Sequence, residues 1–175
     1  MIRYLSTVLF LIIGFVTSCS QAPESKKLID ETNAAKVKAR QLAADAGRKW
    51  NQAKEKNESS DQAEHDRLIE EAAKLYGQSS ETLEKAASTA KELAKLNTPA
   101  WYAEYFGLQS RFMSNLAQLA AGARDELLTR NASVPSDSEI QSKKENLKRI
   151  NEENEKLRKQ IAAIESRQDI VLIKE

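Results

Sequence analysis

Residues 99–130, PAWYAEYFGLQSRFMSNLAQLAAGARDELLTR, are the most apolar of the long stretches that follow the N-terminal region. Large apolar side chains recur here three or four residues apart, which is the period of an α-helix with one buried face. Thr98 suits the cap of such a helix, and Pro99 suits its first position. The apolar face consists of Trp101, Tyr105, Leu108, Phe112, Leu116, Leu119, Ala123 and Leu127, and it is widened by Tyr102, Phe106 and Met113. The stretch predicts a long amphipathic helix that is the best buried of the chain.

Three further helices are predicted on either side of this one. From Lys26 onward the strongest helix formers dominate, namely Ala, Leu, Lys, Glu, Gln and Arg, and the alternating β-branched or aromatic clusters of strands are lacking. Pro99, Pro135 and the polar run at residues 57–61 divide this material. The predicted helices cover residues 26–56, 61–96, 99–130 and 136–168.

The first two predicted helices carry narrow seams of mostly small residues. The seam of the first is Leu28, Thr32, Ala35, Ala39, Leu42, Ala46 and Ala53, and that of the second is Leu68, Ala72, Leu75, Ser79, Ala86, Ala90 and Leu93. All four helices are about 46 to 54 Å long and are joined by short links. Equal lengths and short links favour up-down-up-down topology. The sequence therefore predicts an all-α fold, an elongated antiparallel four-helix bundle.

The fourth predicted helix leaves a second arrangement open. Its heptad pattern places Ile140, Leu147, Asn154 and Ile161 at one seam position, and Ile150, Leu157, Ile164 and Val171 at the other. A single Asn on an aliphatic seam fixes register and oligomer state in coiled coils. Either this helix closes the bundle, with Asn154 partly solvated, or the chain is a three-helix bundle with helix four as a coiled-coil arm. In the second case Ile140, Leu147, Asn154 and Ile161 form the surface for a partner.

The N-terminus has the layout of a secretory signal peptide. Arg3 is the only basic residue before Lys26, and residues 5–16 form a mostly apolar run. At about 1.5 Å per residue the run spans about 18 Å, well short of the roughly 30 Å that a transmembrane helix must cross. It ends in Val16-Thr17-Ser18-Cys19. This ending resembles the lipobox of bacterial lipoprotein precursors, in which an apolar residue and two small residues precede a Cys.

The resemblance implies that Cys19 is diacylated on its sulfur, becomes the new N-terminus after cleavage and is then acylated on its amine. Residues 1–18 would be the signal peptide, residues 19–25 a lipidated tether and residues 26–175 the helical bundle. Asp after the Cys favours inner-membrane retention in this family, so Ser20 implies the outer membrane, facing the periplasm. The alternative is ordinary secretion with cleavage after Ala22, which Pro23 disfavours because it would follow the cleaved bond.

Aromatic residues gather at the start of the third predicted helix. Five of the seven aromatic residues after Cys19 fall between residues 101 and 112. The antiparallel arrangement places them at the end of the bundle next to Cys19. They are interpreted either as core or as a platform for an apolar or sugar ligand, with Trp101, Tyr102 and Tyr105 as the candidates. Trp101 and Tyr102 are expected to be partly exposed, because their polar edges need partners.

Composition excludes several classes of chemistry. The chain has 27 basic and 26 acidic residues, one Cys and one His. This balance gives no electrostatic footprint for nucleic acid, and a single His with a single Cys cannot build a common zinc, iron–sulfur or haem-attachment site. We expect no metal, no cofactor and no enzymatic activity. The expected function is that of a membrane-anchored envelope lipoprotein that acts through protein contacts as a scaffold or accessory subunit, by self-association or with another envelope protein.

Overall fold

The computed structural model describes residues 23–58, 61–96, 99–132 and 137–168. Within these ranges the chain forms four long helices and no β-strand. The helices are α1 (Pro23–Glu58), α2 (Gln62–Leu93), α3 (Ala100–Ala132) and α4 (Asp137–Gln168). Helices of 32 to 36 residues are about 48 to 54 Å long. The predicted all-α four-helix bundle is confirmed.

The start of α1 differs from the prediction. The expected polar tether ended at residue 25, but the helix already begins at Pro23, and Ser25 is buried. The tether prediction was therefore wrong for its last three residues. The fixed φ of proline suits the first position of a helix, where its missing N–H costs nothing.

Small side chains allow α1 and α2 to lie close together. On α1 the most buried residues recur at seven-residue intervals: Thr32, Ala39, Ala46 and Ala53. On α2 they are matched by Ala72, Ser79, Ala86 and Ala90, all nearly inaccessible to solvent. The Ser79 hydroxyl donates a hydrogen bond to the carbonyl oxygen of Ala39 at 2.9 Å, so the α2 side chain reaches the α1 backbone directly. The seam fixes the spacing of these two helices.

Most of the side chains that α3 contributes to the core are large. Tyr105, Phe106 and Met113 are completely buried, and the rings of Tyr105 and Phe106 meet edge to face with their centroids 5.1 Å apart. Helix α2 is attached to α3 by a second buried serine, since Ser80 donates to the carbonyl oxygen of Ala117 at 2.9 Å. Among the described residues, the buried aromatic side chains of the core all come from α3: Tyr102, Tyr105, Phe106 and Phe112.

The second half of α4 belongs to the core of the bundle. Its buried residues are Ile150, Asn154, Leu157, Ile161 and Ile164. The Tyr105 hydroxyl donates to Glu165 at 2.9 Å, and Arg111 forms an ion pair with Glu153 at the same distance. This half of α4 packs inside the chain, and the alternative of a three-helix bundle with a separate arm is wrong for it.

The first half of α4 is different. From residue 141 to residue 149 every side chain is exposed except Leu147, which is half-buried. Within the described ranges, close packing joins α1 to α2, α2 to α3 and α3 to α4, whereas α1 and α4 share no extensive contact. The bundle is consequently open along its α1–α4 side.

The close packing of the α1–α2 seam predicts that a larger residue in it lowers the stability of the fold. Ala46→Leu places three extra carbons where Ala46 is fully buried, and it should lower the free energy of unfolding by about 1 to 3 kcal/mol. The measurement is urea denaturation followed by circular dichroism. Ala44→Leu is the matched control, because Ala44 is exposed on the same helix. Equal stability of the two variants would contradict a tight α1–α2 seam.

Candidate functional site

The residues of the predicted partner surface do not stay together on the outside. Asn154 and Ile161 are buried in the bundle, and Leu147 is half-buried. The side chain of Ile140 and all of Cys19 lie outside the described part of the structure. Of this surface, the structure leaves the part around Leu147 for contact with a partner.

The predicted aromatic ligand surface lies mostly in the core. Tyr105 is fully buried, Trp101 is half-buried, and Tyr102 is only 4% exposed. The expected partial exposure of Tyr102 is wrong, because its ring is packed between Trp101, 5.6 Å away, and Phe106, 4.6 Å away. Burial raises the pKa of the Tyr102 hydroxyl, and the nearby hydroxyl of Ser25 offsets part of this rise. The Tyr102 hydroxyl makes no hydrogen bond of normal length and angle with any of the described residues.

A groove in the middle of the bundle was missed by sequence reasoning. It has a volume of about 350 Å³ and lies where α1 and α4 fail to meet. All four helices contribute to its lining: Lys36, Ala39, Arg40 and Ala43 from α1; Tyr76, Ser79 and Leu83 from α2; Phe112, Leu116, Leu119 and Ala120 from α3; and Arg158 from α4. The lining is therefore mainly apolar.

Three basic side chains border this apolar groove. Lys36 is only 8% exposed, Arg40 is exposed, and the guanidinium of Arg158 lies 5.4 Å from the ring centre of Phe112. Arg158 also lies 3.7 Å from Glu155, but both side chains are more than half exposed, so this ion pair is weak. Among the described lining residues none is acidic. The site has the apolar floor and positive edge that suit an amphiphilic anion.

The sequence held one signal of this groove. Lys36 and Arg40 are one helical turn apart and adjoin the small-residue seam at Ala39. Charged residues beside a buried seam are usually solvated. Here α1 and α4 do not pack against one another, and the two basic residues line the space between them. Only the packing of four helices reveals this.

Two buried amides lie in one layer of the α3–α4 contact. The contact between Phe112 and Arg158 fixes the register of these antiparallel helices. Asn115 follows Phe112 by about one turn and Asn154 precedes Arg158 by about one turn, so both amides reach the same level. Helix geometry places both on the faces that meet.

Each of these amides has an unused polar atom. Asn115 is 8% exposed and Asn154 6% exposed, so the partial solvation expected for Asn154 is wrong. The Nδ2 donor of Asn115 and the Oδ1 acceptor of Asn154 have no hydrogen-bond partner among the described residues. Buried polar atoms of this kind are costly, at about 1 to 3 kcal/mol each. The layer is thus a weak point in an otherwise apolar contact.

Opposite charges join α1 and α2 near the end of the bundle that lies away from the aromatic residues of α3. Lys49 lies 2.7 Å from Glu71, and Arg67 pairs with both Glu64 and Glu71. The hydrogen bond from Lys49 lowers the pKa of the Glu71 carboxyl. These groups are exposed or half-buried, and they form a local ion-pair network rather than a pocket.

In the part of the chain that the structure describes, no group of three or more His, Cys, Asp or Glu side chains is arranged to hold a metal ion. None of the described helices has an apolar stretch of the length and character needed to cross a membrane. No protein-family model, no curated protein and no solved structure matches this chain.

The amide layer yields a stability prediction. Replacing both residues, Asn115→Leu with Asn154→Leu, should raise the free energy of unfolding by about 1 to 3 kcal/mol, because both unused polar atoms are removed. Asn154→Leu alone should gain less, since the Nδ2 of Asn115 would still be buried without an acceptor. Urea denaturation measures both effects.

Asn151→Leu is the control for this pair, because Asn151 is exposed on the same helix. Its effect should stay within about 0.5 kcal/mol. A double variant no more stable than Asn154→Leu alone would show that the buried Nδ2 of Asn115 does not lower stability.

Proposed function

We propose that this protein is a lipid-anchored bacterial envelope lipoprotein whose bundle is not an enzyme and acts through protein contacts as a scaffold or accessory subunit. The observation that carries the proposal is the lipobox-like sequence ending at Cys19, followed after three residues by the start of α1 at Pro23. So short a connection would hold the bundle close to the membrane surface.

The chemistry of the anchor explains how such a chain stays attached. Each buried methylene of an acyl chain contributes about 0.8 kcal/mol, and two or three chains give stable attachment where one gives only marginal binding. Cys19 would carry these chains. Ser20, in the position where Asp favours retention in the inner membrane, supports the outer membrane facing the periplasm.

The first half of α4 is the surface that best suits a partner. Leu147 lies half-buried among the exposed residues Lys144, Lys148 and Asn151, and with Glu152 and Glu155 they line a shallow depression of about 500 Å³. Helix α4 packs on α3 alone over this stretch, with Leu147 Cδ2 3.9 Å from where a Cβ on Gly122 would lie. Its remaining faces can pack against a helix of another envelope protein or of a second copy.

Removal of the acylated residue tests the anchor. Cys19→Ser should abolish incorporation of labelled palmitate and move the protein from the membrane fraction to the soluble fraction or leave it as uncleaved precursor. Ser20→Asp is the matched control: it should remain acylated but fractionate with the inner membrane. Palmitate incorporation into the Cys19→Ser chain would contradict the proposal.

Site-specific crosslinking tests the partner surface. A photoreactive residue at Lys144 or Lys148 should give one discrete crosslinked product in the cells that make the protein. The control position is Lys85, which is exposed on α2 away from this surface. The size of the product separates a second copy from a different protein, and equal crosslinking from Lys85 would argue against a partner surface on α4.

A further inference from the structure

The groove in the middle of the bundle has the size and shape of a binding site for an alkyl chain. Its volume of about 350 Å³ lies within the range of small-molecule sites, roughly 300 to 1,000 Å³. Its lining extends from Lys36 to Ala43 on α1 and from Phe112 to Ala120 on α3. These segments span about 10 to 12 Å. A mainly apolar space of this length and volume suits an extended alkyl chain.

The two ends of the groove differ in polarity. Helices α1 and α3 run parallel, so Lys36 and Phe112, the first lining residues on each, mark the same end. Arg158 lies over the Phe112 ring and adds a second positive charge at that end. The opposite end is lined by the small residues Ala43 and Ala120 and, from the antiparallel α2, by the ring of Tyr76. The groove thus has a cationic end and an apolar end.

The groove is more positive than the chain as a whole. The whole sequence has a net charge of only +1, yet three basic residues and no acidic residue line the groove. Arg40, between the two ends, is the third. A guanidinium recognises a carboxylate by paired hydrogen bonds, and a lysine can bury its aliphatic stem while its ammonium reaches a polar group.

We propose that the groove binds a single-chain fatty carboxylate. The carboxylate lies between Lys36 and Arg158, and the chain extends toward Ala43 and Ala120. This site is separate from the partner surface on α4, and only the source of its occupant rests on the proposed lipid anchor, which would hold Pro23 near the membrane. The groove begins about 20 Å along α1 from Pro23, so the occupant is a molecule that enters from solution rather than a lipid that remains within a bilayer.

Calorimetric titration with decanoate below its micelle concentration tests the proposal. The protein is the chain from Ser20 onward, which keeps every described helix and the whole shared core from Ser25 to Ile164. Decyltrimethylammonium has the same chain with the opposite charge. We expect saturable binding of one decanoate per chain and at least tenfold weaker binding of the cation. Absence of decanoate binding, or equal binding of the two amphiphiles, would overturn the proposal.

Two matched pairs of variants locate the site. Lys36→Gln with Arg158→Gln should weaken decanoate binding at least tenfold, whereas Lys38→Gln with Lys156→Gln removes the same charge from exposed positions outside the groove and should change binding less than twofold. If both double variants weaken decanoate binding equally, the effect comes from net charge, and the proposed position of the carboxylate is wrong.

In the second pair, one variant blocks the apolar end of the groove and the other is its control. Ala43→Met fills the groove with a flexible side chain and should weaken decanoate binding at least tenfold, while Ala44→Met, at an exposed neighbouring position, should leave it unchanged. Thermal unfolding of each variant establishes that the bundle is intact. Undiminished binding by a folded Ala43→Met chain would overturn the proposed position of the alkyl chain.

Discussion

The close approach of α1 and α2 is the constraint on which the rest of the bundle depends. Alanine and serine bury little apolar area, so a seam of such residues contributes less hydrophobic free energy than the aromatic layer of α3. Its effect is geometric: it sets a short distance between two helices, reinforced by the bond from Ser79 to the Ala39 carbonyl. Helix α1 therefore follows α2, while α4 packs mainly on α3. Because these two helices are held by different neighbours, the α1–α4 side stays open, and the groove lies along it.

The sequence predicted those features of the fold that depend on local pattern. Apolar periodicity, helix-forming composition and the positions of Pro99 and Pro135 give four helices whose ends lie within three residues of the observed ones. On α3 periodicity identifies the buried Tyr105, Phe112 and Leu127 and the adjoining Phe106 and Met113. The other five residues of the predicted face are only half-buried, namely Trp101, Leu108, Leu116, Leu119 and Ala123. Periodicity does not identify which neighbouring face covers a given side chain. For this reason Tyr102 was expected to be partly exposed. It is buried because the start of α1 covers it, and α1 begins at Pro23, earlier than predicted.

The same limit applies to α4 and to the groove. The heptad pattern of α4 is interrupted at Lys143 and is regular from Leu147 to Ile164, yet its environment changes only near Ile150. Beyond that point α4 meets the large residues of α3, and before it α4 faces Ala and Gly on α3, which offer little apolar area for its side chains. A repeat along one helix carries no information on the residues that oppose it. The groove is likewise a property of four helices together, and its basic residues come from two helices distant in sequence.

The layer of buried amides and the groove lie on either side of the same contact, and this has an energetic consequence. Helix α4 is attached mainly to α3, through a contact that contains Asn115 and Asn154 with unused polar atoms. A ligand in the groove would touch both α1 and Arg158 of α4, so it would supply the connection that these two helices otherwise lack. Because a ligand stabilises any state that it binds selectively, occupancy would favour the docked position of α4. The exposed first half of α4 is continuous with that docked half, so its orientation toward a partner would depend on the same equilibrium.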